Sequence, residues 1–212
     1  MELEKMKIKL FIDLDQTLFD TPKFKEKMDA LFALTGASRE VIDQTFKEEC
    51  EDYKYSVEDN LRRIRTVHEF DLEKILEMTG RLYEYGAECL YGDSIDFLEA
   101  IDREKYEVDL LTLGDLEFQK NKFVHLGIEK YFDNVYYCTE QKWDYLDTLV
   151  DLNEKFIIID DRSDTMKRVA EKYEKAVAIH ILRAGEIDDE FVPPVRFEGI
   201  TIQDILPALK YL

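Results

Sequence analysis

The sequence predicts an α/β fold, a parallel sheet core carrying an inserted block of helices. Three observations support it. Short apolar runs that close on or near Asp and Thr recur along the chain, the pattern of strands buried on both faces. From residue 89 onward these runs alternate with helical stripes, which favours parallel strands joined by right-handed crossovers. Residues 21–88 break the alternation with helical stripes alone. A chain of 212 residues suits one core domain with an insertion. The expected division is a Rossmann-like core from residues 1–20 and 89–212, with a helical cap from residues 21–88 over the strand ends.

The expected strands are residues 8–12, 108–112, 135–137, 156–159 and 176–181. In the insert, Thr21 is placed as an N-cap and Pro22 at the first helical position. Phe24, Met28, Leu31 and Phe32 then share one helical face. Val41, Ile42 and Phe46 mark a second helix after Ser38. Ser56 and Asp59 have capping-box spacing, and Val57, Leu61, Ile64 and His68 follow. Leu72, Ile75, Leu76, Thr79, Leu82 and Tyr83 make a fourth stripe. Beyond the insert, helices are expected at Ile95–Leu98–Ile101, Phe118–Lys122–Leu126, Tyr145–Leu149–Leu152 and Met166–Val169–Tyr173. Residues 183–199 read as a loop. A last helix is expected from Gln203, with Pro207 in its first turn.

The chain carries 48 Asp and Glu against 29 Lys and Arg, a formal net charge of -19 with a pI near 4.6. That balance argues against nucleic acid polymers and anionic membrane surfaces as partners. Hydrophobic residues make up 45%, too many for a disordered chain. No apolar run is long enough for a bilayer, and the N-terminus has acids where a secretory signal has basic residues. Cys50, Cys89 and Cys138 stand far apart and read as reduced core or near-core residues of a cytoplasmic protein. His68, His125 and His180 share no metal-ligand spacing and read as structural. A monomer or a small homo-oligomer is expected.

Four patterns carry chemistry. Asp13 and Asp15 lie one residue apart just past the first strand, where parallel sheets bind ligands. In extended chain they point the same way, so both can face one bound group. Two such charges call for a cation or a lysine. Thr112, followed by Leu113 and Gly114, closes the second strand and could hold a phosphate oxygen together with backbone N–H groups. Asp115 beside them reads as a helix N-cap. Asp160, Asp161 and Asp164 cluster at the end of a third buried strand, and hard oxygen ligands suit Mg²⁺. Lys142 follows the short strand before it, with Lys122 as its competitor for the role of charge partner.

Together these residues resemble the haloacid dehalogenase-like (HAD) hydrolase superfamily, over nearly the whole chain. Asp13, Asp15 and Thr17 match its Asp-x-Asp-x-Thr motif, and Thr112 its second. Lys142 matches the third by position, and Asp160-Asp161 the acidic fourth, with Asp164 at the i+4 spacing also seen there. The helical insert matches a C1-type cap in place and size. Three positions depart from the pattern: Trp143 stands where Pro is usual, Leu113 where Asn is common, and Ile159 where Gly is common.

The resemblance implies a Mg²⁺-dependent phosphatase acting on a small phosphomonoester, a sugar phosphate or a nucleoside monophosphate. Asp13 would be the nucleophile and Asp15 the acid and base. Asp13, the Asp15 backbone carbonyl and Asp160 would hold the metal, completed by Asp161 or Asp164. Thr112, N–H groups around Leu113 and Gly114, and Lys142 would hold the phosphate. Asp15 favours phosphate chemistry, because haloacid dehalogenases need neither that acid nor magnesium. A phosphomutase of the same superfamily and a non-catalytic binding or regulatory module are the alternatives. Phe19 and Asp20 could line the entrance, and Arg62 and Arg65, with Arg63 between them, could bind a second anionic group of the substrate. Tyr53, Lys54 and Tyr55 could reach a base or a sugar.

Overall fold

Strand β1 (Ile8–Ile12) is the centre of the molecule. Its alternate side chains go to opposite sides of the sheet, Leu10 and Ile12 into one apolar cluster and Phe11 into another. The computed structural model describes residues 6–50, 55–183 and 195–212. After β1 come four helices: α1 (Thr21–Ala33), α2 (Arg39–Glu49), α3 (Val57–Val67) and α4 (Leu72–Tyr85). The chain continues through α5 (Ser94–Ala100), β2 (Tyr106–Leu113), α6 (Leu116–Val124), β3 (Asn134–Cys138) and α7 (Lys142–Leu146). It ends with β4 (Phe156–Asp160), α8 (Ser163–Lys172), β5 (Val177–Ile181) and β6 (Ile200–Ile202). The strands form one parallel sheet in the order β3-β2-β1-β4-β5-β6. The chain builds outward from β1 through β2 to β3, then returns to place β4 on the other side of β1. Strand order therefore reverses at β1, and the crevice beyond the C-terminal ends of β1, β2 and β4 is the binding place of such a sheet.

The inserted helices are held by their apolar stripes. Phe24, Met28, Leu31, Leu61, Ile64, Ile75 and Leu82 are buried and join the cluster that lines the Leu10 side of the sheet. Helix α4 packs on α1 and α3, and α2 packs on α3. Ser38 and Ser56 cap α2 and α3 as their positions suggest, each accepting from an N–H three residues on. Helix α1 differs from expectation. Its N-cap is Asp20, whose Oδ1 accepts from the Lys23 N–H at 2.9 Å, and Thr21 is the first helical residue. A carboxylate one position earlier reaches the same orphan donor, which leaves the Thr21 hydroxyl available elsewhere.

Three further differences lie in the core. Helix α7 stops at Leu146, short of the expected Leu149 and Leu152. Strand β6 (Ile-Thr-Ile) adds a sixth strand that has only one buried residue and is too short to stand out as an apolar run. The last expected helix is a 3-10 helix at Leu206–Tyr211, with Pro207 in its first turn. Most of the expected loop at 183–199, namely residues 184–194, lies outside the described residues, as do Tyr53 and Lys54. No described helix is long and apolar enough to cross a membrane.

Candidate active site

The site grows from a tight loop after β1. The Asp13 N–H continues the ladder to the Ile159 carbonyl at 3.0 Å. The Leu14 carbonyl then accepts from the N–H groups of Thr17, Leu18 and Phe19. Gln16 sits at φ 53°, a left-handed turn that reverses the chain and sends its N–H to the Phe19 carbonyl. Asp13 and Asp15 thus reach one crevice from two sides of a turn. Arg183, almost fully buried, fixes the loop from behind by donating to the Thr17 carbonyl at 2.5 Å and pairing with Asp93 at 3.0 Å.

Asp13 belongs to a charge cluster. Lys142, the first residue of α7 and 2% exposed, places its Nζ 2.5 Å from Asp13 Oδ1 and 2.6 Å from Asp160 Oδ2. Asp13, Asp160 and Asp161 bring one ligand atom each within 4.8 Å of one another. The second Asp160 oxygen accepts from the Arg162 N–H at 2.8 Å, Gln16 Nε2 donates to Asp161 Oδ2 at 2.8 Å, and His180 Nε2 lies 2.8 Å from the Asp161 carbonyl. Burial pushes Asp13 up to about 7, against the pull of Lys142 and with the push of Asp160 and Asp15. Burial, with the push of Asp13 and Asp160 and against the pull of Lys142, raises Asp161 well above the ordinary carboxylate range. Lys142 is raised despite burial because two carboxylates touch it.

These residues fit a divalent cation. Three buried carboxylates face one ammonium, so ionising all three leaves two negative charges with no partner. A hard cation with oxygen ligands supplies that balance. Asp164 stands apart. It is bound by its neighbour Arg162, with Nε to Oδ1 at 3.1 Å and Nη2 to Oδ2 at 2.8 Å, and it is outside the three-carboxylate group. The structure thus brings Asp161, rather than Asp164, to Asp13 and Asp160.

Asp15 belongs to a second nest. Lys122 Nζ contacts both its oxygens, at 2.5 and 2.7 Å, from a position 2% exposed. Gln119 Nε2 donates to Oδ2 at 2.9 Å and Thr21 Oγ1 to Oδ1 at 2.8 Å. Burial opposes the charge on Asp15, yet Lys122, Gln119 and Thr21 outweigh it and hold the carboxyl below its ordinary value. Gly114 makes room for this nest. Its φ is 151°, and a Cβ there would meet Gln119 Nε2 at 2.7 Å.

Thr112, next to last in β2, has its Oγ1 buried and without a partner, a polar atom that a phosphate oxygen would satisfy. The Gly114 N–H is not available for that purpose, because it donates to the Cys138 carbonyl at 2.9 Å and extends the β2–β3 ladder. Leu113 and Gly114 both line the crevice. The entrance assignments are corrected. Phe19 is fully buried and packs on Phe24 at 5.3 Å between ring centroids, and Asp20 caps α1. Arg62 pairs with Asp59 and Arg65 with Glu69, while Arg63 pairs with Glu48 and Glu49. None of the three lines the crevice, because α3 turns Leu61 and Ile64 inward and the guanidinium groups to solvent.

The crevice encloses a cavity of about 220 Å³. Asp13, Asp15, Lys122, Lys142 and Asp161 border it on the sheet side, and Phe24, Met28, Phe46, Tyr55 and Phe118 on the helical side. Gln16, Thr21, Gln119 and this aromatic wall are what the sequence reading missed. Gln119 and Lys122 lie three apart on α6, so a shared face was the available signal.

No protein-family model and no curated protein matches the chain. Solved structures do. A candidate haloacid dehalogenase-like hydrolase from Burkholderia xenovorans superposes with a TM-score of 0.76 at 16% identity, over 97% of this chain and 96% of that one. The candidate HAD-hydrolase YfnB from Bacillus subtilis, bound to magnesium, gives 0.63 at 14%, over 98% of each chain. A candidate β-phosphoglucomutase from Thermotoga maritima gives 0.63 at 17%, over 98% and 100%. Dehalogenases are among the matches as well. The likeness defines the class of fold: this is a HAD-like α/β fold, with Asp13, Asp15, Thr112, Lys142, Asp160 and Asp161 at the C-terminal ends of its strands.

Proposed function

We propose that the protein is a phosphomonoester hydrolase working through an aspartyl-phosphate on Asp13. The observation that carries this reading is the pairing of Asp13 and Asp15 at one strand end, each with its own buried lysine. A halide leaves carbon without a proton, whereas an alkoxide leaving phosphorus needs one, so a second carboxylate beside the nucleophile favours phosphate esters. Asp13 attacks phosphorus as the bond to the leaving oxygen breaks, and Asp15 hands that oxygen a proton. Lys122 keeps Asp15 ionised at rest, so this proton enters with the substrate monoanion. Water then attacks the acyl phosphate while Asp15 takes a proton from it, and that proton leaves with the freed phosphate, restoring Asp13 and the ionised Asp15. Lys142 offsets the charge on Asp13 and the phosphoryl group, and the Thr112 hydroxyl holds a phosphate oxygen. Asp13, Asp160 and Asp161 would hold Mg²⁺, which when bound neutralises phosphate charge.

The test is phosphate release from p-nitrophenyl phosphate and acetyl phosphate with Mg²⁺, with EDTA, and in Asp13→Asn. Turnover is expected with Mg²⁺ alone, lowered on the order of 10³-fold or more in the variant. Halide release from 2-haloacids without phosphate release would overturn the reading.

A further inference from the structure

Among the described residues, the helical side of the cavity is mostly carbon, with Lys25 and Cys50 beside the rings. Phe24 and Met28 come from α1, Phe46 from α2, Tyr55 from the start of the α3 approach, and Phe118 from α6. Their rings form a continuous wall. Phe46 and Tyr55 lie 4.9 Å apart between centroids, Tyr55 and Phe118 5.2 Å at 80°, and Phe118 and Phe24 6.4 Å. The hydroxyl of Tyr55 is the one oxygen among these five side chains, and Asn60 Nδ2 approaches it at 3.4 Å. The Lys25 ammonium stands 4.7 Å over the Phe46 ring. On the sheet side Thr21, Gln119 and Lys122 bind Asp15 and Gln16 binds Asp161, while Gln119 Oε1 is without a partner.

We infer that the preferred substrates are phosphomonoesters whose leaving group carries a flat, apolar ring, and that polyol phosphates are poor substrates. This rests on the phosphatase reading. With phosphorus at Asp13, the ester oxygen lies at Asp15 and the remainder of the substrate extends along the ring wall. A flat ring there gains edge and face contacts with Phe46, Tyr55 and Phe118. A sugar in the same place buries several hydroxyls against carbon, and each hydroxyl without a partner costs binding.

Leaving-group chemistry must be matched to test this. Benzyl phosphate and 2-naphthylmethyl phosphate leave as primary alkoxides, as do glycerol 3-phosphate and glucose 6-phosphate. Using the full chain with Mg²⁺, kcat/KM for the two ring substrates should exceed that for the two polyol phosphates by about tenfold or more. Phe46→Ala should lower the ratio of 2-naphthylmethyl phosphate to acetyl phosphate turnover, mainly through KM. Acetyl phosphate has no ring and separates the two ideas. If acetyl phosphate gives no Asp13-dependent turnover, the phosphatase reading fails and the inference falls with it. If acetyl phosphate is hydrolysed but benzyl phosphate is no better than the polyol phosphates, the inference alone is overturned.

Discussion

Two buried lysines sit a short distance apart in the crevice and do different work. Lys142 touches two carboxylates, with a third beside them. Lys122 touches one, Asp15, and neutral donors from Gln119 and Thr21 complete that carboxylate's shell. The first nest is short of positive charge, and the second is balanced. A deficit of buried charge is a demand for a ligand, whereas a balanced nest fixes a side chain in place. That difference divides the proposed labour: the Lys142 nest recruits cation and phosphoryl group, and the Lys122 nest orients Asp15.

Removing each lysine sharpens the contrast. Lys142→Met strands three buried carboxylates and should cost about 3–5 kcal/mol of stability. Lys122→Met leaves Asp15 two neutral donors, so its cost should be smaller, about 1–3 kcal/mol. Chemical denaturation at neutral pH checks both. Equal losses would break the comparison, because they would show that the Lys142 nest carries no excess negative charge.

Metal addition is the next largest effect. Mg²⁺ at about 100 times its Kd should stabilise the fold by about 2.7 kcal/mol. Thermal melts should show that gain in the wild type, in Lys122→Met and in Asp164→Asn. The gain should shrink in Asp160→Asn and Asp161→Asn. A gain that survives Asp161→Asn and disappears in Asp164→Asn would move the fourth-motif ligand back to Asp164.

Much of this was legible in the sequence, for physical reasons that differ by element. Strands β1 and β4 are buried along most or all of their length, so their apolar runs stand out. Asp13 and Asp160 are adjacent to those runs and inherit their visibility. The reading failed where a contact crosses the chain. Thr21 looks like a cap locally, but Asp20 caps α1 and the Thr21 hydroxyl binds Asp15. The arginines of α3 suggested an anion site until Asp59, Glu69, Glu48 and Glu49 were placed beside them. The ring wall draws on α1, α2, the α3 approach and α6, and no local pattern joins Phe46 to Phe118.

A carboxylate outside both nests shows what burial does where no lysine pairs with it. Asp109, in the middle of β2 and 1% exposed, accepts from Asn134 Nδ2 at 2.9 Å, while its second oxygen has no partner. Among the described residues no ion pair reaches it. Burial pushes its carboxyl up to about 6; Asn134 pulls it down, and Glu107 and Asp133 push it further up. The sign follows from linkage. The ordinary value is 3.8, so the folded chain holds a proton there that the unfolded chain has lost. The penalty on folding grows as pH rises through 3.8 and is complete above about 6. Asp109→Asn keeps an acceptor for Asn134 and removes the charge. After allowing for the weaker bond to Asn134, it should add about 1–2 kcal/mol at pH 7.5 and almost nothing near pH 4. Denaturant titrations of both proteins at the two pH values decide it. A gain of the same size at both would assign the effect to packing. A loss at pH 7.5 would mean that this strand tolerates an uncompensated charge, and the inference of a cation from the charge deficit around Lys142 would lose its physical basis.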